Sequence, residues 1–206
     1  MNSNAIGANS PSDPERRSAL RRDKIAAREA LAPRLHQTLS LVIETHLTSL
    51  LRRCQPRVLG FCWPFRAEFD CRPLVARLID EGVRSCLPRV ISADTALEFR
   101  AWRADSEMLV DRYGIHYPAT GATLTPDVLL LPVNAFDAAG YRLGYGAGYF
   151  DRTLAQLVEQ GRCPLTIGVG FELARVDSIH PDTHDIPLDA VVTEAGTTQF
   201  STRLQA

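Results

Sequence analysis

Asp127-Val-Leu-Leu-Leu-Pro132, followed by Val133-Asn-Ala-Phe-Asp-Ala-Ala-Gly-Tyr-Arg-Leu-Gly-Tyr-Gly-Ala-Gly-Tyr-Phe-Asp-Arg152 and an apolar helical pattern to about Glu159, decides the fold. A near-continuous apolar run such as Val128 to Leu131 is what a parallel sheet covered on both faces requires. A Gly-rich loop follows, and a helix opens at about Tyr149. Working outward, strand and helix keep alternating. Arg57 to Cys62 reads as a strand, Arg72 to Glu81 as a helix ended by Gly82, and Arg84 to Leu87 as a strand closed by Pro88. Further strands are expected at Leu97–Trp102, Leu165–Phe171 and Asp189–Thr193. The pattern predicts an α/β chain: a three-layer α/β/α open sheet, mostly parallel.

With 206 residues, 45% hydrophobic and 23% charged, the chain has the size and composition of one globular domain. No apolar run approaches the roughly 18 residues that span a bilayer, so no membrane is expected as a partner. Lys plus Arg total 23 against 24 for Asp plus Glu, which gives no global positive field to draw a nucleic acid. Five cysteines, an odd number without a C-x-x-C pair, fit reduced thiols in the cytoplasm. Met1 to Pro14 is small and polar and lacks the pattern of a secretory signal. Residues 1–13 are therefore expected to be a disordered leader, and 14–206 a single α/β domain.

At Pro14 the composition turns to an Arg-rich helical stretch ending near Leu31, with Asp13 placed to cap it and Pro14 in its first turn. Two readings stay open for this helix: a solvated face laced with Glu and Arg at i, i+4, or an anion-binding helix. A second helix follows Pro33, its apolar residues at Leu35, Leu39, Val42, Ile43, Leu47, Leu50 and Leu51. In the loop, Gly144, Gly146 and Gly148 free the backbone for positive φ and let successive N–H groups converge on an anion at a helix N-terminus. The spacing matches neither a Walker A loop nor a dinucleotide fingerprint. Glycine alone would serve a tight turn as well as a phosphate cradle. Arg142 before the loop and Asp151-Arg152 after it favour the cradle, since an Arg grips phosphate oxygens in a fork and an Asp beside them can hold magnesium.

Phe136-Asp-x-x-Gly-x-Arg-Leu-Gly-Tyr-Gly-Ala-Gly-Tyr-Phe-Asp-Arg152 closely resembles the signature of 5-formyltetrahydrofolate cyclo-ligases. Arg17-Ser-Ala-Leu-Arg21, Trp63-Pro-Phe-Arg-Ala-Glu68, Leu87-Pro88, His184-Asp185 and Leu188-Asp189 fall in that family's order, so the resemblance covers about Arg16 to Thr193. It implies a Rossmann-like cyclo-ligase fold and an ATP- and magnesium-dependent enzyme. Such an enzyme converts 5-formyltetrahydrofolate to 5,10-methenyltetrahydrofolate and releases ADP and phosphate. Carried over by position, ATP would be held by Arg17, Arg21 and the run Arg142, Leu143, Gly144, Tyr145, Gly146, Ala147, Gly148, Tyr149 and Phe150. Trp63, Glu68, Tyr145 and Tyr149 would contact the folate, and Asp151 and Asp185 would ligate Mg2+. Arg142, Tyr149 and Asp151 form the expected catalytic set. The expected partners are ATP as co-substrate and the folate; the expected form is a cytoplasmic monomer.

Departures from the family's pattern are Arg17 for a frequent Lys, Phe150 for Tyr, Ala147 for Gly or Lys, and Ala174 for Gln. They keep open an ATP-dependent enzyme for another small substrate and a non-catalytic folate- or nucleotide-binding relative. His180-x-x-x-His184 has metal-pair spacing, but Pro181 interrupts any regular helix and a polar loop is the better reading. Cys62 and Cys71 flank Glu68 and read as packing residues. Trp63 outside its motif, and Trp102, read as core. Arg152 reads as a first-turn residue, and Lys24, the single lysine, has no assignment.

Overall fold

The computed structural model describes residues 13–204; all of the expected leader except Asp13 lies outside the described residues. The helices are α1 (Pro14–Glu29), α2 (Pro33–Cys54), α3 (Arg72–Asp80) and α4 (Tyr149–Glu159). The strands are β1 (Val58–Gly60), β2 (Arg84–Arg89), β3 (Glu98–Trp102), β4 (Met108–Val110), β5 (His116–Pro118), β6 (Val128–Pro132), β7 (Ala135–Phe136), β8 (Arg142–Leu143), β9 (Leu165–Val169), β10 (Ala190–Thr193) and β11 (Gly196–Gln199).

Burial along β6 alternates between two cores. Val128 and Leu130 pack with Ile43, Leu47, Leu50 and Leu51 of α2 and Leu74, Val75 and Leu78 of α3. Leu129 and Leu131 pack with Leu154 of α4. A strand with apolar side chains on both faces is stable only when helices cover both, and that makes the molecule three-layered. No helix among the described residues is long and apolar enough to cross a membrane.

Seven strands form the main sheet in the order β11-β10-β9-β6-β1-β2-β3. The inner pairs β10–β9, β9–β6, β6–β1 and β1–β2 are parallel, and the two edges, β11 on β10 and β3 on β2, are antiparallel. From β1 the chain moves by way of α3 to β2 on one side and later returns to β6 on the other. The loops leaving β1 and β6 therefore diverge between those strands, the place where open α/β sheets bind ligands.

Local chemistry sets the element ends. The Asp13 carboxylate accepts the Glu15 and Arg16 N–H groups at 3.0 and 3.1 Å and caps α1, with Pro14 at its first position. Gly82, at φ +96°, follows α3. Pro88 does not close its strand as expected. β2 runs on to Arg89, because the last β1 register partner, Gly60, pairs with Cys86 and beyond it only β3 flanks the proline. The hairpins β4–β5 and β7–β8 and the edge strand β11 were not among the expected elements.

β9 lies between β6 and β10, and at Gly168 the packing leaves no room for a side chain. A Cβ there would meet Leu188 Cδ1 at 2.6 Å, Val133 Cγ1 at 2.8 Å and Val191 Cγ2 at 2.9 Å. Gly168→Ala should cost about 1–3 kcal/mol through overpacking. Urea denaturation should register this as a lower midpoint at unchanged slope.

Candidate active site

A cavity of about 1000 Å³ opens at the carboxyl ends of β1 and β6. Its wall includes Cys62 and Trp63 from the loop after β1, Pro132 at the end of β6, the Gly-rich loop with the first turns of α4, and Arg17 and Arg21 of α1. Asp182, His184 and Asp185 complete that side.

One stripe of α1 builds much of this wall. Arg17, Arg21, Lys24 and Arg28 follow the i, i+4, i+7, i+11 spacing of a single helix face, and all four donate inward. Arg17 pairs with both carboxylate oxygens of Asp185 and also donates to the His180 carbonyl. Arg21 Nε donates to the Gly144 carbonyl at 2.6 Å. Lys24 Nζ donates to the carbonyls of Leu173 and Arg175, fastening the helix to the sheet's end. Arg28, 4% exposed, reaches Asn134 and Tyr145. The pair with Asp185 holds the Arg17 guanidinium above its ordinary value, whereas burial and the nearby Arg17 charge lower that of Arg21.

The loop from Gly144 to Gly148 has no ladder of its own. Gly146 and Gly148 adopt φ +102° and +66°, and a Cβ on Gly146 would lie 3.3 Å from the Arg21 guanidinium carbon. From the other side Arg152 Nη2 donates to the Ala147 carbonyl at 2.6 Å. Among the described residues nothing accepts from the N–H groups of Tyr145 to Gly148. Arginines thus pin the loop by its carbonyls and leave amide donors at a helix N-terminus, an arrangement suited to an anion.

A second group gathers round Glu68, 8% exposed. The Tyr145 hydroxyl donates to Glu68 Oε1 at 2.7 Å and the Phe65 N–H to Oε2 at 3.0 Å. Burial raises the Glu68 carboxyl above its ordinary value, and it raises the Tyr145 hydroxyl as well. Trp63 stands on the cavity wall, stacked on His116 at 4.9 Å with the Arg72 guanidinium 4.3 Å above its ring.

A family model described as the 5-formyltetrahydrofolate cyclo-ligase family matches residues 13–194. The chain belongs to that family. The Escherichia coli K12 5-formyltetrahydrofolate cyclo-ligase is 32% identical over 173 residues, covering 81% of this chain and 93% of that protein. The mouse cyclo-ligase is 33% identical over 138 residues, 62% of this chain and 68% of that protein. Among solved structures, Aquifex aeolicus 5,10-methenyltetrahydrofolate synthetase superposes with a TM-score of 0.76 at 28% identity, covering 89% of this chain and 92% of that one.

Of the positions carried over from the cyclo-ligase pattern, Arg17, Arg21, Trp63, Glu68, Arg142, Gly144 to Asp151 and Asp185 all line the one cavity. Leu143 does not line it: the side chain is fully buried in β8 and packs with Ala135 and Ile179, and its carbonyl accepts the Asn134 N–H, so it supports the loop from beneath. Arg142 is nearly buried, with Nη1 3.3 Å from Asp151 Oδ1 and 3.4 Å from the Ile186 carbonyl. The Tyr149 hydroxyl meets Arg112 Nη2 at 3.0 Å and lies 3.5 Å from the Tyr113 hydroxyl, both at the tip of the β4–β5 hairpin. Sequence reading missed Arg28, Arg112 and Tyr113. The helical spacing of the cations was a usable signal for Arg28, while the hairpin residues carried none beyond the turn Asp111-Arg-Tyr-Gly114. Ala174, 3% exposed, packs in the second core away from the cavity, so the departure from Gln there is one of packing.

The donor chemistry fits a magnesium ion, which takes one or two carboxylates and keeps waters and substrate phosphates for the rest. Asp151 accepts Arg142 and the Ile186 N–H through Oδ1, and Asp185 shares its oxygens with Arg17. No cluster of three or more His, Cys, Asp or Glu able to hold a metal occurs among the described residues, and that includes the His180–His184 segment.

All five cysteines are free. Burial pushes the Cys62 thiol well above its ordinary value and those of Cys71 and Cys86 to about 12. Nucleophilic attack needs the thiolate, which burial disfavours at Cys62 on the cavity wall. A water-soluble thiol reagent near neutral pH should label exposed Cys163 first and leave buried Cys71 and Cys86 unmodified until the protein unfolds; peptide mapping reads the order.

Proposed function

We propose that this chain couples ATP to the closure of 5-formyltetrahydrofolate into 5,10-methenyltetrahydrofolate, releasing ADP and phosphate. The observation that carries the reading is Tyr145: a member of the Gly-rich loop donates its hydroxyl to buried Glu68, so the anion-binding loop and a folate-facing carboxylate meet in one cavity.

The chemistry asks for that meeting. A formamide oxygen is a poor leaving group, so it first takes the γ-phosphoryl: a P–O bond forms to the formyl oxygen as the bond to ADP breaks. N10 then attacks the activated formyl carbon and gives up its proton, and the C–O bond breaks to release phosphate that carries the formyl oxygen. Phosphoryl transfer leaves the protein positioning and charge neutralisation rather than covalent work. Arg17, Arg21 and Arg142 supply guanidinium groups, and the free amides of the Gly144–Gly148 loop cradle the phosphates. Tyr149 borders the same space, and Glu68 accepts from the donor-rich pterin while Trp63 offers it a flat apolar surface. Asp151 and Asp185 would hold Mg2+, which would supply charge neutralisation for the transferring phosphoryl group. In this reading residues 14–206 act as one catalytic unit, a cytoplasmic monomer whose free thiols fit a reducing compartment.

Mixing the protein with 5-formyltetrahydrofolate and MgATP should produce the absorbance band of the conjugated methenyl product, and omitting ATP should abolish it. A flat trace from folded protein that binds ATP would exclude the reading. Asp151→Asn should lower turnover about 100-fold with the fold intact by circular dichroism; wild-type activity at low magnesium would remove Asp151 from the metal site. Glu68→Gln should weaken 5-formyltetrahydrofolate about 10-fold by calorimetry and leave ATP affinity unchanged.

A further inference from the structure

Arg28 ends the inward stripe of α1 and, like Lys24, is not among the expected site residues. A guanidinium at 4% exposure is costly unless its donors are satisfied. Each nitrogen goes to a different segment: Nε to the Arg66 carbonyl at 3.0 Å, Nη1 to Asn134 Oδ1 at 3.0 Å, and Nη2 to the Tyr145 hydroxyl oxygen at 3.1 Å. Nη2 also lies 3.8 Å from Glu68 Oε1.

Two consequences follow from those contacts. A tyrosine hydroxyl has one proton, and an N–H already occupies one side of its oxygen. The Tyr145 proton therefore goes to Glu68 Oε1, and the carboxylate keeps a fixed orientation with its other oxygen on the Phe65 N–H. The loop that presents Glu68 is also held in an unfavourable shape. Arg66 and Ala67, neither of them glycine, adopt φ +49° and +56°. The Arg28 hydrogen bond to the Arg66 carbonyl, two hydrogen bonds from the Arg66 guanidinium to the Glu29 carboxylate, and His36 on the Ala67 carbonyl hold it there.

We propose that Arg28 is a positioning residue for the folate: it locks the hydrogen-bond direction of Tyr145 towards Glu68 and so joins the substrate-side carboxylate to the Gly-rich loop. The inference rests on the reading of Glu68 as the folate-side group. It touches neither reacting atoms nor phosphate, and it acts through Tyr145. Removing it should loosen folate binding far more than ATP binding.

Direct calorimetry of 5-formyltetrahydrofolate and of MgATP, run separately from turnover, tests this on wild type, Arg28→Met, Tyr145→Phe and the double variant. Arg28→Met should weaken 5-formyltetrahydrofolate about 10- to 100-fold, the loss expected for a charge-assisted contact, with MgATP affinity within about threefold. The double variant should lose little more than the worse single variant, because both substitutions break one linkage. Arg28→Lys, which keeps the charge, should recover part of the loss. Unchanged folate affinity in folded Arg28→Met, or losses that add in full, would overturn the proposal. Should Arg28→Met fail to fold, Tyr145→Phe decides: folate affinity equal to wild type overturns it. If wild type binds the folate and forms no product, the functional reading falls while the affinity comparison still judges Arg28. No folate binding by wild type overturns both.

Discussion

The inward stripe of cations on α1 is the constraint on which the site depends. A helix this polar brings few apolar contacts to the end of the sheet: among the described residues Ile25 is its one buried apolar side chain, and half-buried Leu20 packs against Ala135, Leu143 and Ile179. What holds it are Arg17 on Asp185, Arg21 on Gly144, Lys24 on Leu173 and Arg175, and Arg28 on Asn134 and Tyr145. Charge-assisted bonds to carbonyls and carboxylates are about twice as strong as neutral ones, and here they tie down segments that lack a ladder of their own. The helix, the Gly-rich loop, the loop after β1 and the segment before β10 become one unit through it.

That arrangement shapes how a ligand enters. In the proposed reaction, Arg17 and Arg21 are already engaged with Asp185 and Gly144, so incoming phosphate exchanges for partners that the protein now supplies. Desolvating these arginines is then largely complete before ATP arrives, and less reorganisation is left for binding. The sheet contributes position: β1 and β6 are adjacent and their loops part on opposite sides, which brings Trp63 and Glu68 from one loop opposite Gly144 to Gly148 from the other.

Much of the central architecture was legible because burial on both faces leaves a continuous apolar signature, as in Val128 to Leu131, and because the glycines and prolines mark the ends of α1 and α3. Ladder direction was not. β3 and β11 run antiparallel at the sheet edges, and nothing in a five-residue run such as Glu98–Trp102 records which way its neighbour points. Pro88 misled because a proline stops a strand only where its N–H is needed, and beyond Cys86 β1 no longer flanks that edge of β2. In the site, the motif positions line one cavity with Leu143 set apart in the core, because an unbroken run of loop positions carries no mark of the switch from wall to core. Arg28 was not legible because a basic helix is usually a solvated one, and here the inward face is marked by cations rather than by apolar residues.

The central claim is that ATP activates the formyl oxygen itself inside this cavity. Substrate carrying oxygen-18 in the formyl group, turned over with MgATP and examined by phosphorus NMR of the released phosphate, tests it most directly. The account predicts one heavy oxygen in each phosphate formed. Unlabelled phosphate, formed in step with the methenyl product, would contradict it.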